Sequence, residues 1–255
     1  MSLTRNPWLM SSRGSPRLRL FCFPHAGGGA ASYRAWVGKL PPGVEVCPVL
    51  LPGRDSRLQE PAMRDIPALA AAAAEGLRPA LDVPFALFGH SMGALLAFEV
   101  ARALTTHHGL SPSLFYASAS RAPHLPHRDK RISHLPDEQF LQELRGMGGT
   151  PPELFKHREL WELLLPTLRS DFKACEDYRQ PLGVPLACPI TALGGSADAF
   201  VTQDELRAWQ ELTRAPFQLR QFPGGHFYLQ SSGASVLRLL GQDFEALLAP
   251  GCGPL

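Results

Sequence analysis

Apolar and polar positions along this chain of 255 residues fall into two alternating rhythms. Short runs rich in apolar residues recur at 17–23, 44–50, 83–88, 113–118 and 188–193, and a last strand is expected at 217–222. Runs of that length, punctuated by Pro and Gly, read as strands, and strands apolar on both faces belong to a parallel sheet. Between them lie segments with an apolar stripe, at 65–81, 94–104, 203–213 and 235–248. Asp65 is a suitable cap for the first, with Pro67 near its first turn. Asp204 is the expected cap of the third. Strands alternating with helices predict an α/β fold, a mostly parallel central sheet flanked by helices.

The rhythm breaks once. From Arg121 to about Leu182 no strand-like run stands between helices. A Pro- and His-rich loop leads to a helix over 136–145, with a capped look at Pro136-Asp137. Residues 146–152 break it, and an apolar segment follows over 157–178, interrupted by Pro166. The expected organisation is a core of residues 17–120 and 183–255, a helical lid inserted at 121–182, and a loose polar leader at 1–16. The lid's Leu160, Trp161, Leu163, Leu164, Leu165, Leu168 and Phe172 are more apolar than a surface hairpin needs. They can pack on the main domain, line an acyl channel, or do both. Leu164, Leu168 and Phe172, with Phe227 downstream, are the expected channel residues.

Composition narrows the function. A hydrophobic content of 45% over this length suffices for one full core. A net charge of +2 points neither to nucleic acid nor to an anionic membrane surface. The five cysteines form no CxxC pair and are odd in number, as expected of reduced thiols in a cytoplasmic protein. Residues 1–16 carry no apolar signal region, and no apolar run approaches the roughly 18 residues of a membrane span. His107 and His108 point to different helix faces, so they read as solvated positions rather than a metal site, and no metal is expected elsewhere.

Chemistry concentrates at Gly89-His90-Ser91-Met92-Gly93, which fits Gly-x-Ser-x-Gly between a strand and a helix. A serine hydroxyl needs a neighbouring base to act as a nucleophile. The sharp turn lifts Ser91 out of the sheet, and glycines at 89 and 93 let strand and helix approach. The Met92 N–H then opens a helix N-terminus, where an oxyanion is stabilised. The loop Pro24-His25-Ala26-Gly27-Gly28-Gly29 after the first strand lacks both the P-loop lysine and the Gly-x-Gly-x-x-Gly spacing. It fits the second half of an oxyanion hole, with Ala26 as donor. Asp198 and His226 each follow a predicted strand, in the order Ser, Asp, His of α/β-hydrolases. Asp171, inside the inserted segment, and the early His25 and His90 are weaker candidates for orienter and base. The expected triad is therefore Ser91, His226 and Asp198, with Ala26 and Met92 as oxyanion donors.

With these residues assembled, the chain resembles the type II thioesterases associated with nonribosomal peptide and polyketide synthases. The likeness runs from about Leu18 to Leu248. It rests on the stretches Phe21 to Gly28, Leu51-Pro52-Gly53-Arg54, Phe88 to Ala94, Gly148 to Glu153, Leu168-Arg169-Ser170-Asp171-Phe172 and Gly225 to Leu229. It implies hydrolysis of acyl groups from the phosphopantetheine arm of acyl or peptidyl carrier proteins, a helical lid over an acyl chamber, and no metal or organic cofactor. No chemistry is assigned to Arg54 or Arg57, and a monomer is the default. Two other readings remain open: a carboxylesterase or lipase acting on free small esters, and a carrier-binding protein without hydrolytic activity.

Overall fold

The computed structural model of the protein describes residues 6–10, 15–128, 130–149, 157–180 and 183–249. Six strands, β1 (Leu18–Phe23), β2 (Val44–Pro48), β3 (Phe85–His90), β4 (Leu114–Ser118), β5 (Ile190–Gly195) and β6 (Phe217–Phe222), form one sheet in the order β2-β1-β3-β4-β5-β6. Every neighbouring pair is parallel. β1, β3 and β5 bury all six of their residues, which is why they read as largely apolar runs; the buried Arg19 of β1 is paired with Glu45. The chain steps outward from β1 to β2 and then returns past β1 to β3. That reversal sets the C-terminal ends of β1 and β3 side by side, the place where open α/β sheets build their sites.

Helices cover both faces. α1 (Ile66–Leu77) and α2 (Met92–His108) pack on one side with Phe21, Leu87 and Phe115. On the other side, the closing helix α6 (Leu229–Leu248) and a 3-10 segment at Ala30–Trp36 enclose Phe88 and Tyr116. Asp65 caps α1 by accepting the Ala68 N–H at 2.7 Å.

Between β4 and β5 the described residues form two helices, α3 (Asp137–Met147) and α4 (Arg158–Asp177). Their facing sides share a small cluster around Phe140, Leu144, Leu165 and Leu168. The far end of α4 belongs to the main core, through Ala174 and the following Tyr178. Residues 150–156, which include the last three of the expected break at 146–152, lie outside the described residues.

Several expectations are corrected. Pro166 does not interrupt α4, which runs through it. α3 starts after Pro136 with no side-chain cap. The helix expected at 203–213 is a short α5 (Gln203–Arg207) followed by a 3-10 turn. Its cap is Thr202, which exchanges hydrogen bonds with Glu205 in a capping box, so Asp204 merely occupies the first turn. α6 begins at Leu229 rather than 235. Its Ser- and Gly-rich start is helical despite weak local propensity, and Val236, Leu240 and Phe244 keep one buried stripe. The leader is not loose throughout: Trp8 and Leu9 are buried, and the Arg57 guanidinium lies 4.1 Å over the Trp8 ring. His108 is not merely solvated, since its Nε2 sits 2.7 Å from Glu75. Among the described residues no group of His, Cys, Asp and Glu has the arrangement of a metal site. None of their helices is long and apolar enough to cross a membrane.

Candidate active site

The elbow after β3 is strained. Ser91 has φ 56° and ψ −119°, a left-handed conformation rare for a residue with a side chain. Its N–H donates to the Ser118 carbonyl at 2.8 Å, and its carbonyl accepts the Ala94 N–H at 2.9 Å. A Cβ at Gly89 would overlap the Gly93 carbonyl, and one at Gly93 would overlap the Phe23 carbonyl of β1. Glycine at both positions is a steric requirement of the close approach between strand, elbow and helix.

Two loops at the far side of the sheet complete the arrangement. Asp198 follows β5 and His226 follows β6, and main-chain bonds join their loops. Ser196 N–H donates to the Phe222 carbonyl at 2.8 Å, and Ala197 N–H to the Gly224 carbonyl at 2.9 Å. The buried Asp198 carboxylate accepts the Phe200 and Val201 N–H groups on Oδ1, at 2.8 and 3.2 Å. Its Oδ2 lies 2.9 Å from His226 Nδ1, and His226 Nε2 lies 3.0 Å from Ser91 Oγ. Asp198 has no donor of its own, so Nδ1 carries the proton and Nε2 is free to accept from Ser91.

Two other imidazoles stand close by. The His25 and His90 ring centroids are 6.0 Å apart, and His90 is 5.6 Å from His226. Burial, then the proximity of the His226 ring and of the Arg54 guanidinium, pushes His25 down to about 4. Burial first, then His226 and His25, holds His90 well below the ordinary imidazole range. His90 Nδ1 meets Ser118 Oγ at 2.8 Å, and Ser118 Oγ meets the Tyr228 hydroxyl at 2.7 Å. Both rings are neutral near pH 7, and among the described residues neither has a carboxylate partner. Of the three imidazoles, only His226 is placed to carry a transient charge.

After β1 the chain turns at His25–Gly28, closed by the Gly28 N–H on the His25 carbonyl at 2.9 Å. Gly27 at φ 74° gives it the left-handed third position of a type II turn. Ala26 from this turn and Met92 from the start of α2 border a cleft of about 210 Å³ that also reaches Ser91 and His226. Leu168, Phe172 and Phe227 line it as well. Leu164 does not. One turn nearer the start of α4, it packs in the α3–α4 cluster instead. Gly149, after α3, lies so close to Phe227 that a Cβ there would overlap the ring, so the inserted segment meets the core beside His226.

Sequence reading passed over Arg54 and Asp171. They form a buried, two-pronged ion pair at 2.7 Å on each prong, and Asp171 also accepts the Gly27 N–H at 2.7 Å. The available signal was two opposite charges inside two of the matched stretches.

A serine on a strand–elbow–helix turn, with a histidine and a carboxylate gathered at the C-terminal edge of a parallel sheet, makes this a serine hydrolase of the α/β-hydrolase fold. The thioesterase-domain model matches residues 18–244. The chain belongs to the thioesterase family. Gramicidin S biosynthesis protein GrsT of Aneurinibacillus migulanus is 38% identical over 96% of both chains. The type II thioesterase BorB from the borrelidin biosynthetic cluster superposes with a TM-score of 0.85, at 40% identity, covering 92% of this chain and 96% of BorB. The linear gramicidin dehydrogenase LgrE of Brevibacillus parabrevis is 43% identical over 94% of both chains. That name denotes an oxidoreductase, but the loop after β1 here is Pro24-His25-Ala26-Gly27-Gly28-Gly29, without the glycine spacing of a dinucleotide site.

Proposed function

We propose that this thioesterase removes acyl groups from the phosphopantetheine arm of acyl or peptidyl carrier proteins, through an acyl-serine at Ser91. The observation that carries the reading is the Ser91–His226–Asp198 chain, with contacts of 3.0 and 2.9 Å, opening on a mostly apolar cleft beneath an inserted helical segment. GrsT and BorB belong by name to gramicidin S and borrelidin biosynthesis, and this supports a carrier-borne substrate.

The chemistry follows from the geometry. Ser91 Oγ attacks the thioester carbonyl while His226 Nε2 takes its proton. Asp198 holds the imidazole orientation and stabilises its charged form. The Ala26 and Met92 N–H groups receive the negative charge that develops on the carbonyl oxygen. His226 then gives its proton to the leaving sulfur, the C–S bond breaks, and the thiol of the arm departs. Water attacks the acyl-serine, His226 takes a water proton, and returning it to Ser91 Oγ releases the acid. No step calls for a metal or an organic cofactor. Leu168, Phe172 and Phe227 receive the acyl chain, with α3 and α4 as the lid above it. The enzyme acts as a monomer, in the cytoplasm, where its carrier partners are loaded.

The test is intact-mass analysis of an acylated carrier protein incubated with the enzyme, with Ser91→Ala as control. The expected result is loss of the acyl mass, retention of the phosphopantetheine arm, and no change with the control. Cleavage of small oxygen esters alongside a persistent acyl-carrier would favour the esterase reading.

A further inference from the structure

Arg54 follows β2, and Asp171 lies on α4, 117 residues further along the chain. Both are buried, at 6% and 1% exposure. Arg54 Nη1 and Nη2 donate to Asp171 Oδ2 and Oδ1, each at 2.7 Å. Asp171 Oδ2 takes a further bond from the Gly27 N–H at 2.7 Å, and Arg54 Nη1 also donates to the Gly28 carbonyl at 3.1 Å. The pair thus holds two main-chain groups of the turn that contains Ala26. The turn's own bond, Gly28 N–H to the His25 carbonyl at 2.9 Å, holds a third. That carbonyl shares its peptide plane with the Ala26 N–H. Fixing the turn at these three points fixes the direction of the Ala26 N–H.

We infer that Asp171 and Arg54 are positioning residues for the oxyanion donor at Ala26. The inference rests on the roles proposed above for Ser91 and Ala26. A buried ion pair is by itself a weak source of stability, because stripping water from both charges offsets much of their attraction. This one spends part of its bonding capacity on the main chain of the catalytic loop, where small errors of placement are costly. Removing one oxyanion donor costs about 10²–10³ in kcat, and a displacement of about 1 Å costs about 10²-fold. The pair also ties the inserted α4 directly to the loop that stabilises the transition state.

The experiment compares the full-length enzyme with Asp171→Asn and Arg54→Lys on octanoyl-CoA, which carries the same phosphopantetheine arm. Active sites are counted by fluorophosphonate labelling, and folding is followed by thermal melts. Asp171→Asn should lower kcat per active site by roughly 10–100-fold, with KM within about threefold of the parent. Arg54→Lys, which keeps the charge and loses the fork, should lose less. Inhibition by an octyl trifluoromethyl ketone, whose serine adduct carries an oxyanion, should weaken in parallel with kcat/KM. A role confined to folding would lower the labelled fraction and the melting temperature, but not kcat per labelled site. A folded Asp171→Asn enzyme with kcat per site within about threefold of the parent overturns the inference, as does unfolding of both variants. Ser91→Ala separates the two levels. If it is inactive while Asp171→Asn is fully active, only the positioning role fails. If it stays active, the serine mechanism fails with it.

Discussion

Leu168 of α4 lies against Gly27 in the turn after β1, so closely that a Cβ on the glycine would overlap Leu168 Cδ2. The inserted segment and the turn after β1 are therefore one packed unit at this point. Gly27 has two separate reasons to carry no side chain: this contact and its φ of 74°. Gly27→Ala should destabilise the protein by about 1–3 kcal/mol from backbone strain, plus the cost of displacing Leu168. Leu168→Ala removes the obstacle, so the double variant should be more stable than the sum of the two losses predicts. Denaturant melts of all four proteins measure the coupling, expected at about 1 kcal/mol or more. Additive losses would show that Leu168 yields freely and that the contact constrains nothing.

Asp198 divides its two oxygens between two tasks. Oδ1 holds its own loop through Phe200 and Val201, and Oδ2 meets His226. Asp198→Asn can keep an amide oxygen on the loop N–H groups. It then presents an NH₂ donor to Nδ1, which favours the wrong imidazole tautomer. By analogy with serine proteases, kcat should fall about 10⁴-fold, while the melting temperature stays close to the parent's. Steady-state kinetics together with a thermal melt decide it. A large fall in melting temperature with little kinetic loss would mean that Asp198 mainly supports its loop.

Acid should destabilise the fold through His25 and His90. Both have imidazoles whose charged form is disfavoured in the native state, His25 down to about 4. In the unfolded chain each titrates near its ordinary value of about 6.5. Below that pH the unfolded state binds more protons than the native state, so stability falls as pH drops from about 6.5 towards 4. At roughly 1.4 kcal/mol per pH unit, His25 alone accounts for at most about 3 kcal/mol over that window, less what water in the cleft screens. His25→Gln should flatten the dependence. Urea midpoints at pH 7.5 and 5 test this, and an unchanged slope in His25→Gln would show that His25 does not supply it.

The strands and the Ser91, His226 and Asp198 cluster were legible for a common reason. Buried parallel strands are apolar on both faces, so β1, β3 and β5 stand out in one dimension, while β6, at the sheet edge, is half-exposed and carries Gln218, Arg220 and Gln221 among its apolar residues. Each residue of that cluster sits just after one of these strands. The Arg54–Asp171 pair was not legible, because Asp171 reads as a polar position on an amphipathic helix until tertiary packing brings Arg54 to it. The start of α6 was missed for the opposite reason. Ser231, Ser232 and Gly233 look like a break, yet Val236, Leu240 and Phe244 bind the helix to the sheet and override weak local propensity. Leu164 and Leu168 look equivalent on one helical stripe, and only the three-dimensional end of the cleft separates them.

α4 is anchored after Pro166 and less firmly held before it. Past the proline, Thr167 Oγ1 donates to the Gly53 carbonyl at 2.7 Å, Asp171 takes Arg54, and the Tyr178 hydroxyl donates to Glu99 at 2.5 Å. Before it, Leu160 and Leu163 are 44% and 54% exposed. Pro166 has no N–H for the Glu162 carbonyl four residues back, and Ser170 Oγ donates to the Pro166 carbonyl at 2.8 Å, a side-chain bond that tends to bend helices. If the cover over the cleft opens, the bend belongs at this point, with 158–165 moving and 167–177 staying on the core. Pro166→Ala restores a backbone donor and removes a ring clash, so it should stabilise the helix by up to about 3 kcal/mol. Hydrogen exchange should slow in 158–165 and stay unchanged in 167–177. Turnover of long acyl-carrier substrates should fall at least about threefold, while short acyl-CoA thioesters are unaffected, because only bulky substrates need the opening. Equal slowing of exchange in both halves would place the flexing elsewhere, and α4 would then be a fixed wall of the cleft from end to end.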